Sequence, residues 1–162
     1  MKHFVLVLFL LSAGFIYAQS TVDKPAPKFD PKANPTLDLK KAIKQAKKEN
    51  KRIILDVGGE WCIWCHRIDE FIAQNEDIYK FMHNNFVVLK INYSKENKNE
   101  KFLSGYPQIE GYPHFFVLEK NGKLLHSQNT GLLENGKSYD AEKMMEFLKE
   151  WSIKKTTVKK KI

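Results

Sequence analysis

Residues 53–68, IILDVGGEWCIWCHRI, constrain this chain more than any other stretch. A short apolar run ends in two glycines and leads straight into two cysteines two residues apart, the only cysteines of 162 residues. A Cys-x-x-Cys between a strand and the mouth of a helix is the arrangement for reversible dithiol–disulfide chemistry. The spacing places both sulfurs on the first helical turn, within bonding reach without unfolding the backbone. Unpaired N–H groups and the positive end of the helix dipole there favour a thiolate on the leading cysteine. Cys62 is thus expected to be the nucleophile and Cys65 the resolving thiol. A static staple is the alternative, but a loop this small constrains an unfolded chain little.

The length suits one domain with its own core. Lys2 and His3 precede an apolar run over residues 4–11, then small residues, then Ala18 before Gln19. This is the outline of a secretory signal, residues 1–18, with cleavage expected after Ala18 and a periplasmic or secreted product. A retained N-terminal anchor is the alternative. Residues 19–37, with Pro25, Pro27, Pro31 and Pro35, read as an extended leader, and residues 154–162, with five lysines, as a basic tail. The formal charge is +8. Setting aside Lys2 and the tail nearly balances acids and bases, and no aromatic-plus-basic motif points to nucleic acid.

Between leader and tail, residues 38–153 show one alternating pattern. Leu39, Ala42, Ile43 and Ala46 predict a helix over 38–49 capped by Asp38 and ended by Asn50. Residues 52–57 form a β-branched, apolar run that predicts a buried central strand. Ile68, Phe71 and Ile72 continue a helical stripe after the cysteines, with a break near Asn75 and a second helical piece carrying Ile78, Phe81 and Met82. Strands are expected over 86–91 and 114–118, with a short helix around Phe102 and Leu103 between them. Asn121-Gly122 predicts a tight turn, both positions tolerating positive φ, into a strand over 123–126. Asp140 is expected to cap a last helix whose apolar face is Met144, Phe147, Leu148 and Trp151. The fold class is therefore α/β, a central mixed sheet with helices on both faces.

Several further pieces fall in a familiar order. Asp56 precedes Cys62 by six residues, Glu60-Trp61 directly precedes it, and Lys90-Ile91-Asn92 closes the next strand. Gly111-Tyr112-Pro113 opens an apolar strand that ends at Lys120-Asn121-Gly122. In this order the chain resembles the thioredoxin-like superfamily over residues 38–151. It departs from thioredoxin proper at Ile63-Trp64, Gly58-Gly59 and Glu70, and its Trp-Cys-x-Trp-Cys-His pattern is closer to secreted thioredoxin-like proteins. The resemblance implies a cis Pro113 that holds the Tyr112 backbone near the sulfurs, where it can pair with an extended substrate. It also implies an Asp56 buried beneath the helix start, exchanging a proton with Cys65. Lys90 either tunes that proton or ends its strand in solvent.

Trp61 and Trp64 flank the cysteines. Trp61 is expected to wall the disulfide or simply to pack, and Trp64 to face outward onto substrate. Cys62-Ile63-Trp64-Cys65-His66 also satisfies the attachment pattern for c-type haem. The strands, the acid below the dithiol and the proline loop argue against haem. Zinc would need two more ligands, for which His66 and His114 are the conceivable pair, so no metal or cofactor is expected. A client-docking or chaperone module is the third class, and an intact dithiol argues against it as the sole role. The resulting expectation is a monomeric, exported thiol–disulfide oxidoreductase acting on protein disulfides or dithiols. Around Asp56 and Glu60-Trp61 the resemblance is to reductases, which implies a reductase supplied with electrons by a membrane thiol donor.

Overall fold

The computed structural model describes residues 28–154. The expected signal and cleavage point, the first part of the expected leader and the tail beyond Lys154 lie outside the described residues. Helix α1, Pro35–Glu49, starts three residues before the expected cap. Asn34 caps it through its side chain, accepting the Leu37 N–H, and Pro35 occupies the first turn, where a missing N–H removes nothing. Asp38 instead lies within the first turn and pairs with Lys41. Asn50 ends the helix, as expected, and the structure shows it in the left-handed conformation.

Strand β1, Arg52–Gly58, is buried along nearly its whole length because it is central. It pairs in parallel with β2, Phe86–Asn92, and antiparallel with β3, His114–Leu118, which pairs with β4, Leu124–Asn129. The order β2-β1-β3-β4 is a mixed sheet. Alternation along β1 decides what each face meets. Ile53, Leu55 and Val57 pack with Ala42 and Ala46 of α1. Ile54 faces the opposite layer, with Ile68, Phe71 and Ile72 of α2 (Ile63–Gln74). Ile78 and Met82 of α3 (Glu76–Asn85) and Met144, Phe147 and Leu148 of α5 (Ala141–Trp151) complete that layer. Asp56 shares the parity of Ile54, so a carboxylate is aimed into the α2–α5 layer.

The one-turn helix α4, Glu100–Leu103, follows β2. At the β3–β4 turn only Gly122 takes positive φ (89°); Asn121 does not. The Gly122 N–H closes onto the Glu119 carbonyl and the Glu119 N–H onto that of Lys123, a longer loop than a two-residue turn. The sequence pattern also missed a 3-10 turn, Thr130–Leu133, and the two-residue strands β5 (Glu134–Asn135) and β6 (Ser138–Tyr139). Two residues per strand cannot carry a periodicity. Asp140 caps α5 through the Glu142 and Lys143 N–H groups, as expected.

Candidate active site

β1 delivers the chain at Gly58, and α2 begins five residues later. Cys62 is the N-cap of α2, and Cys65 lies in its first turn. The two are joined as a disulfide with Cα atoms 5.2 Å apart. The Cys65 N–H points at Cys62 Sγ from 3.1 Å and is shared with the Cys62 carbonyl at 3.0 Å, so the helix start turns part of a donor toward this sulfur. Cys62 is 4% exposed, whereas Cys65 is fully buried. Gly58 is required here: a Cβ on it would come within 2.5 Å of Cys65 Sγ.

The Tyr112–Pro113 peptide is cis, and Tyr112 packs against the cluster of Phe29, Cys62 and Cys65. The Pro113 carbonyl accepts the Thr130 hydroxyl, which ties this loop to the 3-10 turn. Trp61 is 58% exposed beside it, its indole N–H donating to the Tyr93 carbonyl (2.7 Å) and its ring edge-on to Tyr112. Trp64 does not face outward as expected. It is half-buried, edge-on to Tyr139 with the Arg67 guanidinium 4.5 Å over its ring. The helix turn instead gives the outward position to Ile63, which is 60% exposed.

Beneath the helix start lies an ion cluster. Parallel register sets Lys90 of β2 opposite Asp56 of β1, both on the α2–α5 face. Lys90 Nζ lies 2.8 Å from Asp56 Oδ2, and 2.6 and 2.7 Å from the two oxygens of Asp69 on α2. The side chains of Asp56 and Lys90 are 4% and 5% exposed, that of Asp69 23%. Asp56 Oδ1 is buried with no hydrogen-bond partner. Asp69 is pushed up to about 6: burial dominates, the Lys90 charge opposes it and the Asp56 charge adds to it. Burial pulls the Lys90 ammonium down, but the two carboxylates outweigh it and hold it above the ordinary lysine value. Lys90 is thus a buried partner of Asp56 and not a solvent-facing strand end.

Sequence reasoning missed Asp69 and Phe29. The only signal for Asp69 was its helical spacing, four residues after Cys65, on the stripe that faces β1. Phe29 sits within the stretch read as an extended leader, yet it is 3% exposed and forms one buried cluster with the two cysteines.

The two histidines hold no shared site. His66 is exposed, and its Nε2–H donates to the Glu60 carbonyl at 2.8 Å. His114 lies on the α1 face, tilted against Phe116 and hydrogen-bonded to Ser127, opposite the face that carries Asp56. Burial, with the His126 charge, lowers its pKa to about 4. Attachment of haem would need both sulfurs on an open face, and Cys65 is enclosed between Gly58 and Phe29. The described residues offer no group of three or more metal-ligating side chains.

Residues 39–149 match the thioredoxin-like domain family along the stretch that builds this geometry. The chain belongs to that family. The structure of a disulphide isomerase from Xylella fastidiosa Temecula1 superposes with a TM-score of 0.65 at 24% identity, covering 75% of this chain and 94% of that one. The C-terminal domain of Neisseria meningitidis DsbD in its oxidised form gives 0.54 at 22% identity, covering 77% and 99%. A DsbH oxidoreductase gives 0.54 at 20%, covering 83% and 92%. At these identities the likeness is one of fold. Spermatogenesis-associated protein 20 of Mus musculus is 36% identical over 67 residues, 41% of this chain and 8% of that protein. This thioredoxin-like chain therefore spans only a small part of the length of such relatives.

Proposed function

We propose that this protein is an exported thiol–disulfide oxidoreductase that reduces disulfides in protein substrates. The observation that carries the reading is Cys62 Sγ, capping a helix start and accepting the Cys65 N–H beside the cis Tyr112–Pro113 loop. In the reduced protein, the same helix start would favour a Cys62 thiolate. That thiolate attacks a substrate disulfide, forms a mixed disulfide and expels one substrate thiolate, which takes a proton. Cys65 then gives its proton to Asp56 or to water and attacks Cys62 Sγ. The Cys62–Cys65 bond forms, and the second substrate sulfur leaves as a thiol. A dithiol donor, in this reading a membrane protein, returns two electrons and two protons.

Protein substrates suit the surroundings of the sulfurs. Trp61 and Ile63 stand exposed on either side of Cys62. Such an apolar rim favours an unfolded segment over a small thiol. Export rests on residues 1–18 of the sequence, and an envelope reductase would need the donor just named.

The test is reduction of insulin by the full-length protein with a dithiol donor. Turnover is expected in the wild type and loss of at least about a hundredfold in Cys62→Ser. Undiminished turnover in that variant sinks the mechanism. Export is checked by mass spectrometry of the envelope fraction, where a chain beginning at Gln19 is expected.

A further inference from the structure

The buried wall of the dithiol is built by a residue outside the matched domain. Phe29 precedes α1, and its ring fills the space over Gly58 that also holds Cys65 Sγ. A Cβ at Gly58 would meet the ring at 3.0 Å and the sulfur at 2.5 Å. The Lys90 ammonium lies over the same ring, 4.3 Å from its centroid. Phe29 therefore borders both the disulfide and the ion cluster. Two anchors hold it there. Its N–H donates to Glu60 Oε1 at 2.9 Å, two residues before Cys62, and the Pro31 carbonyl accepts from Asn97 Nδ2 at 2.8 Å.

We propose that Phe29 is a positioning residue of the redox pair, whose ring keeps the inner face of Cys62–Cys65 dry and so tilts the couple toward the disulfide. The inference rests on the oxidoreductase reading above and concerns its poise. A disulfide is an apolar group. The dithiol that replaces it brings S–H dipoles and, at neutral pH, a thiolate, and each is better solvated by water than by a phenyl ring. A dry wall penalises the reduced form more than the oxidised one. The protein with Phe29 in place is then the stronger reductant.

The measurement is the equilibrium of the full-length protein against a glutathione series. In that exchange two glutathione thiols give up two electrons and two protons. The Cys62–Cys65 bond opens to two thiols while one glutathione disulfide forms. Phe29→Ala is expected to shift the equilibrium toward the dithiol by about tenfold, the size expected from hydrating one buried polar group. Phe29→Leu, which keeps the wall apolar, should stay within about twofold of wild type. An equilibrium unchanged in Phe29→Ala, with only the melting temperature lowered, overturns the role and leaves Phe29 as plain packing. Should Phe29→Ala not fold, Phe29→Val carries the same test with a smaller shift expected, and no shift overturns the role again. A wild type that does not exchange with glutathione at all sinks the oxidoreductase reading itself, and this inference with it.

Discussion

Asp69 closes on the Lys90 ammonium with both carboxylate oxygens, at 2.6 and 2.7 Å, while Asp56 holds the same ammonium from 2.8 Å. One buried cation thus serves two acids, and the cluster carries a net negative charge when all three are ionised. Taking a proton relieves it, and the Asp69 carboxyl is raised to about 6.

A pH dependence follows, and its sign can be worked out. Between about 4 and 6 the folded protein binds more protons at Asp69 than the unfolded chain does. This carboxylate therefore makes stability fall as pH rises through that window. His114, lowered to about 4, acts oppositely: the unfolded chain binds the extra proton, so stability rises with pH from about 4 to 6.5. The two slopes offset each other in the wild type. Asp69→Asn should unmask the histidine slope, with urea midpoints climbing from pH 4 to 6.5. Midpoints that fall over that range would contradict the assignment.

Lys90→Met removes the shared cation and strands the buried Asp56 carboxylate and the half-buried one of Asp69. A loss of about 3–5 kcal/mol is expected at pH 7, from urea unfolding of the oxidised protein. Neutralising the acids in the same background, with Asp56→Asn and Asp69→Asn, should recover more than half of that loss. Additive losses across the three substitutions would show that the charges do not interact.

These two experiments turn on residues of unequal legibility. The Cys-x-x-Cys and the β3 strand could be read because short-range pattern determines them, a cysteine spacing and an apolar run, whereas the burial of Asp56 and the cis Pro113 were legible only through the family resemblance. Lys90 was visible but ambiguous, since only the β1–β2 register settles which way it faces. Asp69 was hidden because an acid on an amphipathic helix reads as surface until a cation is known to lie beneath it. Trp64 was misread because its neighbour Ile63 takes the open position at the helix start, a rotation that spacing alone leaves undetermined. Phe29 stood in a proline-rich stretch without periodicity, and its burial depends on contacts about thirty residues away, to Glu60 and Gly58. The start of α1 slipped for a local reason, because Asn34-Pro35 is a better cap and first turn than Asp38.

Thr130→Val should loosen the loop that faces the sulfurs. The hydroxyl is the donor to the buried Pro113 carbonyl, and valine keeps the volume while leaving that oxygen without its partner. About 1–3 kcal/mol of stability is expected to go, read as a lower urea midpoint. Insulin reduction should slow more than exchange with glutathione, because only the peptide needs the loop held in place. Equal slowing of both would separate the loop from substrate binding.

Cys65→Ser is expected to accumulate mixed disulfides. The donor to Cys62 Sγ is the backbone N–H of residue 65, which the substitution keeps, so attack by Cys62 should survive while release is lost. In envelope extracts this variant should carry higher-mass bands on non-reducing gels that vanish with dithiothreitol, and Cys62→Ser should carry none. Ile63→Ser on the Cys65→Ser background sharpens the test. Ile63 is 60% exposed, so the fold should lose little, yet the apolar rim offered to a peptide is cut. Capture of protein partners should fall several-fold while the rate of mixed-disulfide formation with glutathione disulfide stays within about twofold. If both fall together, the defect is in the sulfur chemistry and the rim has no part in choosing substrates.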